Sequence, residues 1–290
     1  MGIVRKTVPA QDEGRTLLHF LRGALHIGNH LLAAAKARNA ICVDGIPRHT
    51  DYVLHAGETV SVCAELPTEK RVTAEEGPFG IVWEDEYFLV IDKPAPLACQ
   101  CTERNPLGTL ENRLAAHYGE DFVFRPLNRL DKGTSGLLAA AKDAHGTACL
   151  QKLLHSGAFE REYLAVVCGN PGSGIAAFPI AREGEGVRRT VSESGKPCVT
   201  EYRTLRSGNG MSLVRLRLQT GRTHQIRVHM SALGCPLAGD FLYGREDSRL
   251  PGRFALHSAY LSFEHPFTGK TMTFESALPR ELEALLETQG

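Results

Sequence analysis

No apolar run in this chain is long enough to span a membrane or to form the core of an export signal, so neither insertion nor secretion is expected. No two of the eight cysteines stand at C-x-x-C spacing, and a zinc site is not expected. Cys99 and Cys101 are the one close pair. An extended backbone would put them on one face, but a metal or redox role there is not expected. Scattered thiols without an export signal point to the cytosol. Net charge is absent too: 33 Lys plus Arg balance 33 Asp plus Glu. A protein that coats nucleic acid is strongly basic. If this chain binds nucleic acid, it does so through local patches and shape. What is present is length, since 290 residues suit one large domain with an ample core and a small one.

The charge is balanced overall but not locally. From Tyr202 to Gly239 there is no Asp or Glu, yet Arg203, Arg206, Arg215, Arg217, Arg222 and Arg227 fall there. Val214, Leu216 and Leu218 alternate with Arg215 and Arg217, the period of a half-buried strand. Gly221 breaks the run. Thr223 is placed to cap a helix carrying Ile226, Met230 and Leu233, which Gly234 and Pro236 stop. Arg222 then lies at a strand-to-helix junction, beside a helix start that itself attracts anions. A phosphate or carboxylate partner is expected there.

The carboxylate candidate is upstream. Asp131 precedes the loop Lys132-Gly133-Thr134-Ser135-Gly136, and Leu137 to Ala141 reads as a buried strand. A carboxylate at the mouth of a buried strand is costly unless paired or hydrogen-bonded. The loop offers two hydroxyls and backbone N–H groups, and an arginine from elsewhere can complete the pairing. Taken alone, the stretch reads first as an Asp that organises a turn, which is what most Asp in Gly/Ser/Thr loops do.

Together these stretches resemble the RluA family of pseudouridine synthases. Arg129-Leu130-Asp131 with Thr134-Ser135-Gly136 is similar to the family's catalytic-aspartate motif, and Leu218 to Gly244 to its second signature, including Gly239-Asp240 and Tyr243-Gly244. Ile81 to Pro94, Glu160 to Gly169, Gly195 to Leu205 and Leu256 to Gly269 match in the family's order. The chain departs from the pattern at Asn128, where His is usual, and along Ala95 to Cys101, where Gly and then His-Pro are usual. The N-terminal part is similar to an S4 RNA-binding domain. Arg15 to Arg38 is helical in pattern with a break at Gly28-Asn29, Ile41 to Gly45 is a strand and turn, and Thr59 to Val62 a second strand. Arg22, Lys36, Arg38 and Arg48 are its basic residues, and Asn29-His30 stands where Ser-Arg is usual. Its five histidines, His26 and His30 among them, read as surface and turn residues rather than metal ligands. A purely structural cap is the other reading of this part.

These readings imply an α+β protein. An S4-like domain covers residues 1–66, a charged Pro/Gly linker, exposed and flexible, covers 67–79, and a mostly antiparallel catalytic domain covers 80–290. Strands are predicted at Gly80–Val82, Tyr87–Ile91, Leu137–Ala141, Glu162–Val167, Cys198–Leu205, Leu213–Leu218 and Ala259–Phe263. Helices are predicted at Thr109–His117, Asp143–Ser156, Thr223–Leu233 and Arg280–Glu287.

The resemblance implies isomerisation of a uridine in structured RNA. The glycosidic bond breaks, the uracil turns, and carbon 5 bonds to the ribose. The target nucleotide must be flipped out to be reached. Asp131 is then the nucleophile or the base, a choice that stays open. Arg222 is expected to be its ion-pair partner, Tyr163 to stack on the uracil, and Leu218 to line the base pocket. Arg129, Leu130, Thr223, His224, Gln225 and Arg227 are expected to bind substrate, with Arg129 and Arg227 as phosphate contacts or fold ion pairs. Neither a cofactor nor a metal is implied, since no electrons or groups are transferred. An RNA partner is, with ribosomal RNA favoured over transfer RNA by the S4-like part, and a cytoplasmic monomer is expected. Two rivals come from other classes. Asp131-Lys132-Gly133-Thr134 is faintly similar to a phosphatase D-K-T-G-T, but the second Asp and the continuous apolar strand are missing. A non-catalytic RNA-binding protein or chaperone on the same scaffold is the alternative.

Overall fold

The computed structural model describes residues 3–25, 27–63 and 71–287. The N-terminal part builds its own layer. Strands β1 (Ile3–Thr7), β2 (Ile41–Val43), β3 (Ile46–Pro47) and β4 (Thr59–Cys63) form a sheet in the order β1-β4-β2-β3. Helices α1 (Leu17–Gly23) and α2 (Asn29–Ala37) cover it. Thr16 caps α1 by accepting the His19 N–H. Leu17, Phe20, Leu21, Leu31, Leu32 and Ala35 meet Ile41, Val43, Val60 and Val62 in a separate small core.

The second part is the larger. It contains β5 (Gly80–Glu84), β6 (Phe88–Lys93), α3 (Leu110–Tyr118), β7 (Arg125–Pro126), β8 (Ser135–Ala141), α4 (Ala144–Ser156), β9 (Phe159–Cys168) and β10 (Ser173–Ala176). The hairpin strands β11 (Ile180–Arg182) and β12 (Arg189–Val191) follow, then β13 (Thr200–Gly208), β14 (Met211–Leu218), α5 (Gln225–Ala232), β15 (Leu256–Glu264), β16 (Thr271–Glu275) and α6 (Arg280–Glu283). The main sheet runs β10-β13-β14-β9-β15-β8-β6-β5, with β7 and β16 attached to β8 and β15. The fold is α+β, as expected. Each predicted strand and helix of this part has a counterpart, mostly longer by a residue or more in the strands.

One pairing positions the site. β8 and β15 run parallel, while β15 runs antiparallel to β9 with Ser258 opposite Tyr163. The loop feeding β8, which holds Asp131, is thereby brought toward Tyr163. Gly136 makes the close approach possible: a Cβ there would overlap the Ser258 backbone. β8 is buried along its whole length, in keeping with its apolar sequence.

Two expectations need correction. The stretch from residue 71 to residue 79 is not a free tether. Val72 is buried, Glu75 N–H donates to the Asn112 carbonyl, Asn112 donates to the Thr73 carbonyl, and Arg113 donates to the Pro78 carbonyl. The segment clings to α3. Residues 64–70, where the domain boundary and the start of the linker were placed, lie outside the described residues, as does His26. The basic stretch is also not an open patch. Arg215 pairs with Glu162 at 3.7 Å, Arg217 with Glu160 at 2.5 Å, and Arg206 with Glu283. Neighbouring elements neutralise part of what the linear sequence concentrates.

Four histidines make stability fall as pH drops below neutrality. His145 meets the Leu25 carbonyl, His229 meets Thr200 and the Phe178 carbonyl, and His257 meets Ser135 and the Ser276 carbonyl. His224 is in the site described below. Burial lowers the pKa of all four from the ordinary 6.5. The unfolded chain therefore binds protons below pH 6.5 that the folded chain refuses. Their stabilising contribution is full above that pH and lost as pH falls, by up to about 1.4 kcal/mol per pH unit for each histidine in that window. The thermal midpoint, read by calorimetry, is expected to drop by several degrees between pH 7.5 and 5.5. A flat profile would contradict burial in the neutral form.

Candidate active site

All ten residues named from the sequence line one cleft of about 1150 Å³: Arg129, Leu130, Asp131, Tyr163, Leu218, Arg222, Thr223, His224, Gln225 and Arg227. The volume exceeds what a single nucleotide needs and leaves room for adjoining backbone. The walls come from the turn before β8, from β9, from the end of β14 and from the start of α5.

Asp131 sits in a tight turn whose carbonyl accepts the Thr134 N–H at 3.0 Å. The turn is closed by backbone, and among the described residues the carboxylate bonds Arg227 rather than the loop. The Asp131 side chain is 30% exposed, facing the cleft. Behind it the turn is braced. The Leu97 N–H donates to the Lys132 carbonyl at 2.9 Å, and the Cys99 thiol to the Leu130 carbonyl at 3.1 Å. Lys93 is fully buried and holds the Pro94 and Leu97 carbonyls at 3.0 and 2.7 Å. Burial pulls its ammonium down to about 8. The unusual Ala95 to Cys101 segment thus still supports the aspartate loop.

The ion-pair partner of Asp131 is Arg227, not Arg222. Arg227 Nη1 lies 3.3 Å from Asp131 Oδ2, while its Nε and Nη2 bind the two oxygens of Asp240, both at 2.8 Å. Asp240 is wholly buried and also accepts the N–H groups of Leu242 and Tyr243. The guanidinium lies 4.1 Å from the centre of the Phe254 ring and 4.9 Å from that of Tyr243. Gly133 makes room for Phe254, since a Cβ there would come within 2.7 Å of the ring. Burial acts to lower the Arg227 pKa, but Asp240 and then Asp131 outweigh it and the pKa is raised. The fork is fixed on Asp240 and offers its remaining nitrogen to Asp131.

Arg222 is exposed on the cleft wall, its Nε reaching the Pro197 carbonyl at 3.4 Å. The reason lies in the helix start. α5 begins at Gln225 and its N-cap is His224, whose backbone is left-handed at φ 59°; Thr223 does not cap it. The Gln225 side chain accepts the Arg222 N–H and the Thr220 hydroxyl, and donates to Val199 and Thr200. That tie fastens the loop to β13 and places Arg222 outside the helix, whereas Arg227 lies within it.

Tyr163 is buried on β9, and burial raises its pKa. Asn128 is buried beside the motif: its Oδ1 accepts the Ala139 N–H, and its side chain interacts with the Tyr163 hydroxyl. Leu218, half-buried, packs on the core cluster that contains Tyr163. Arg129 is exposed at the lip, and Leu130 is buried beneath it. His224 approaches Asp131 Oδ2 with Nε2 at 3.8 Å. Sequence reading missed Arg161, which is buried and lines the cleft on the same strand as Tyr163. Period-two alternation from Tyr163 would have found it. It also left Asp240 and Tyr243 without roles, although both stand in the second signature.

Residues 87–232 match the family model described as RNA pseudouridylate synthase. The chain is 36% identical over 276 residues to the uncharacterized RNA pseudouridine synthase YjbO of Bacillus subtilis, covering 92% of this chain and 97% of that one. It is 40% identical over 253 residues to the ribosomal large subunit pseudouridine synthase D of Vibrio vulnificus, covering 80% and 77%. Among solved structures it is similar to human RNA pseudouridylate synthase domain containing 1, with a TM-score of 0.60 and 28% identity over 73% of this chain and 90% of that one.

Proposed function

The chain belongs to the RNA pseudouridylate synthase family, and on that premise we propose that Asp131 is the group that reacts with a uridine flipped into the cleft, and that the RNA is ribosomal. The observation that carries the first part is the placement of Asp131. It is a partly exposed carboxylate inside a cleft, held by an arginine that a second, wholly buried carboxylate fixes in place. The chemistry needs an unprotonated carboxylate against the ribose, whether it attacks the sugar or removes a ribose proton. The N1–C1′ bond breaks, the uracil rotates while enclosed, C5–C1′ forms, and the C5 proton leaves. Tyr163 offers a ring to stack on the base, Leu218 an apolar wall, and Arg129 and Arg222 two exposed cations at the lip for phosphates.

Support for ribosomal RNA comes from relatives such as the Vibrio vulnificus enzyme, named for the large ribosomal subunit, and from the N-terminal layer, which we read as S4-like. Lys36, Arg38 and Arg48 are exposed on it. It touches the catalytic part through Leu25 and His145, and through Ala144, which packs on the small core. The eight free cysteines fit a cytoplasmic site of action. The salt dependence of binding tests the N-terminal role. Replacing Lys36, Arg38 and Arg48 by Ala is expected to weaken ribosomal RNA binding and to reduce the slope of log K against log salt by roughly 0.7–0.9 for each phosphate that is no longer neutralised. An unchanged slope and affinity would mean that this face does not touch the RNA.

A further inference from the structure

We propose that His224 is a positioning residue for Asp131, holding Oδ2 through Nε2–H so that Oδ1 is the oxygen presented to the nucleotide. This rests on the reading of Asp131 as the reacting group. It differs from a substrate-binding role for His224, which the sequence suggested.

Three observations converge. The first is a hydrogen-bond chain that fixes the tautomer. The Tyr243 hydroxyl oxygen lies 2.8 Å from the Arg189 backbone N–H, which can only donate to it. The same oxygen lies 2.7 Å from His224 Nδ1. With Arg189 on one lone pair, giving the phenol hydrogen to Nδ1 satisfies the hydroxyl, whereas accepting from Nδ1–H would leave that hydrogen without an acceptor among the described residues. A neutral ring that accepts at Nδ1 carries its hydrogen at Nε2, the nitrogen that faces Asp131 at 3.8 Å. The other tautomer would aim a lone pair at a carboxylate. Burial lowers the His224 pKa and raises that of Tyr243, which keeps the ring neutral and the hydroxyl protonated.

The second is convergence on one oxygen. Arg227 Nη1 also meets Oδ2, at 3.3 Å. Among the described residues no hydrogen bond reaches Oδ1. With Nε2–H drawn in from 3.8 Å beside Arg227, two donors on one oxygen would keep the carboxylate from turning and leave the other oxygen open. The third is the backbone of His224, left-handed at φ 59° although the residue is not glycine. Such a conformation is disfavoured for residues with a Cβ and is retained where the surroundings hold it. Contacts of this kind tighten when substrate closes the site. The chain of contacts starts on β12, so the β11–β12 hairpin is the outer anchor of the arrangement.

The tautomer is directly readable. In full-length protein labelled with ¹⁵N-histidine, NMR is expected to show His224 neutral, protonated at Nε2 and accepting at Nδ1. Tyr243→Phe removes only the hydroxyl and is expected to release that preference. A ring protonated at Nδ1 in the unsubstituted protein overturns the proposal. Kinetics form the second arm. His224→Asn suits the left-handed backbone but removes the Nε2–H, so folding is not the variable. Its single-turnover rate on the RNA is expected to fall by about tenfold to a hundredfold, the worth of a hydrogen bond to a charged group, with the RNA Kd within about threefold of normal. His224→Gln, which can place an amide N–H near the Nε2 position, is expected to recover part of the rate. A weakened Kd with an unchanged rate assigns His224 to binding and overturns positioning, as do equal rates in all variants. An active Asp131→Asn enzyme would instead overturn the reading of Asp131, while the tautomer remains as observed.

Discussion

Asp131→Asn is expected to abolish pseudouridine formation while leaving RNA affinity within about threefold of normal. Asn keeps the volume and removes the charge. Asp131 is partly exposed, so its replacement leaves no buried cavity. Arg227 keeps its two bonds to Asp240 in the variant, and the framework of the cleft is retained. Turnover is read by digesting the RNA to nucleosides after a single-turnover reaction and separating pseudouridine from uridine. Activity at a tenth of the normal rate would mean that another group reacts with the nucleotide.

The second large effect separates two arginines that stand five positions apart. Arg227→Lys is expected to lower turnover by at least about a hundredfold, because an ammonium cannot hold both oxygens of Asp240 and still reach Asp131. Arg227→Ala leaves the buried Asp240 carboxylate without its cation, which costs about 3–5 kcal/mol of stability. Arg222→Ala should leave the thermal midpoint unchanged and weaken RNA binding by less than about tenfold, the effect of one exposed phosphate contact. Midpoints and single-turnover rates for the three variants decide the matter. A severe rate loss in Arg222→Ala alongside a mild one in Arg227→Lys would reverse the assignment.

That pair also shows where sequence reading stops. The strands of the main sheet were legible because Val214, Leu216 and Leu218 alternate with arginines and because Leu137 to Ala141 is uniformly apolar. The same logic located Asp131 at the mouth of a buried strand. The partner was misjudged because the junction argument favoured the arginine just before the helix, whereas the one that meets Asp131 lies in its first turn. A threonine is a common N-cap, but here the chain turns left-handed at His224 and Gln225 is the first helical residue. Arg222 stays outside the helix, as expected, and turns to the Pro197 carbonyl instead of Asp131. The sign of the surface around β13 and β14 was misjudged for another reason. Glu160, Glu162 and Glu283 are remote in sequence from the arginines they neutralise, and strand pairing alone brings Glu160 and Glu162 close. The described part of the supposed linker, 71–79, carries the charge and Pro/Gly content of a tether. Its attachment to α3 depends on Asn112 and Arg113, side chains that no local pattern connects to it.

The most direct measurement is a map of pseudouridines in cellular RNA at single-nucleotide resolution. Cells lacking the protein are compared with the same cells carrying either the unaltered chain or Asp131→Asn. One or a few uridines of ribosomal RNA are expected to lose modification in the deletion, to regain it with the unaltered chain, and to stay unmodified with the variant. Identical maps in all three, or restoration by Asp131→Asn, would contradict the assignment of uridine isomerisation to this cleft.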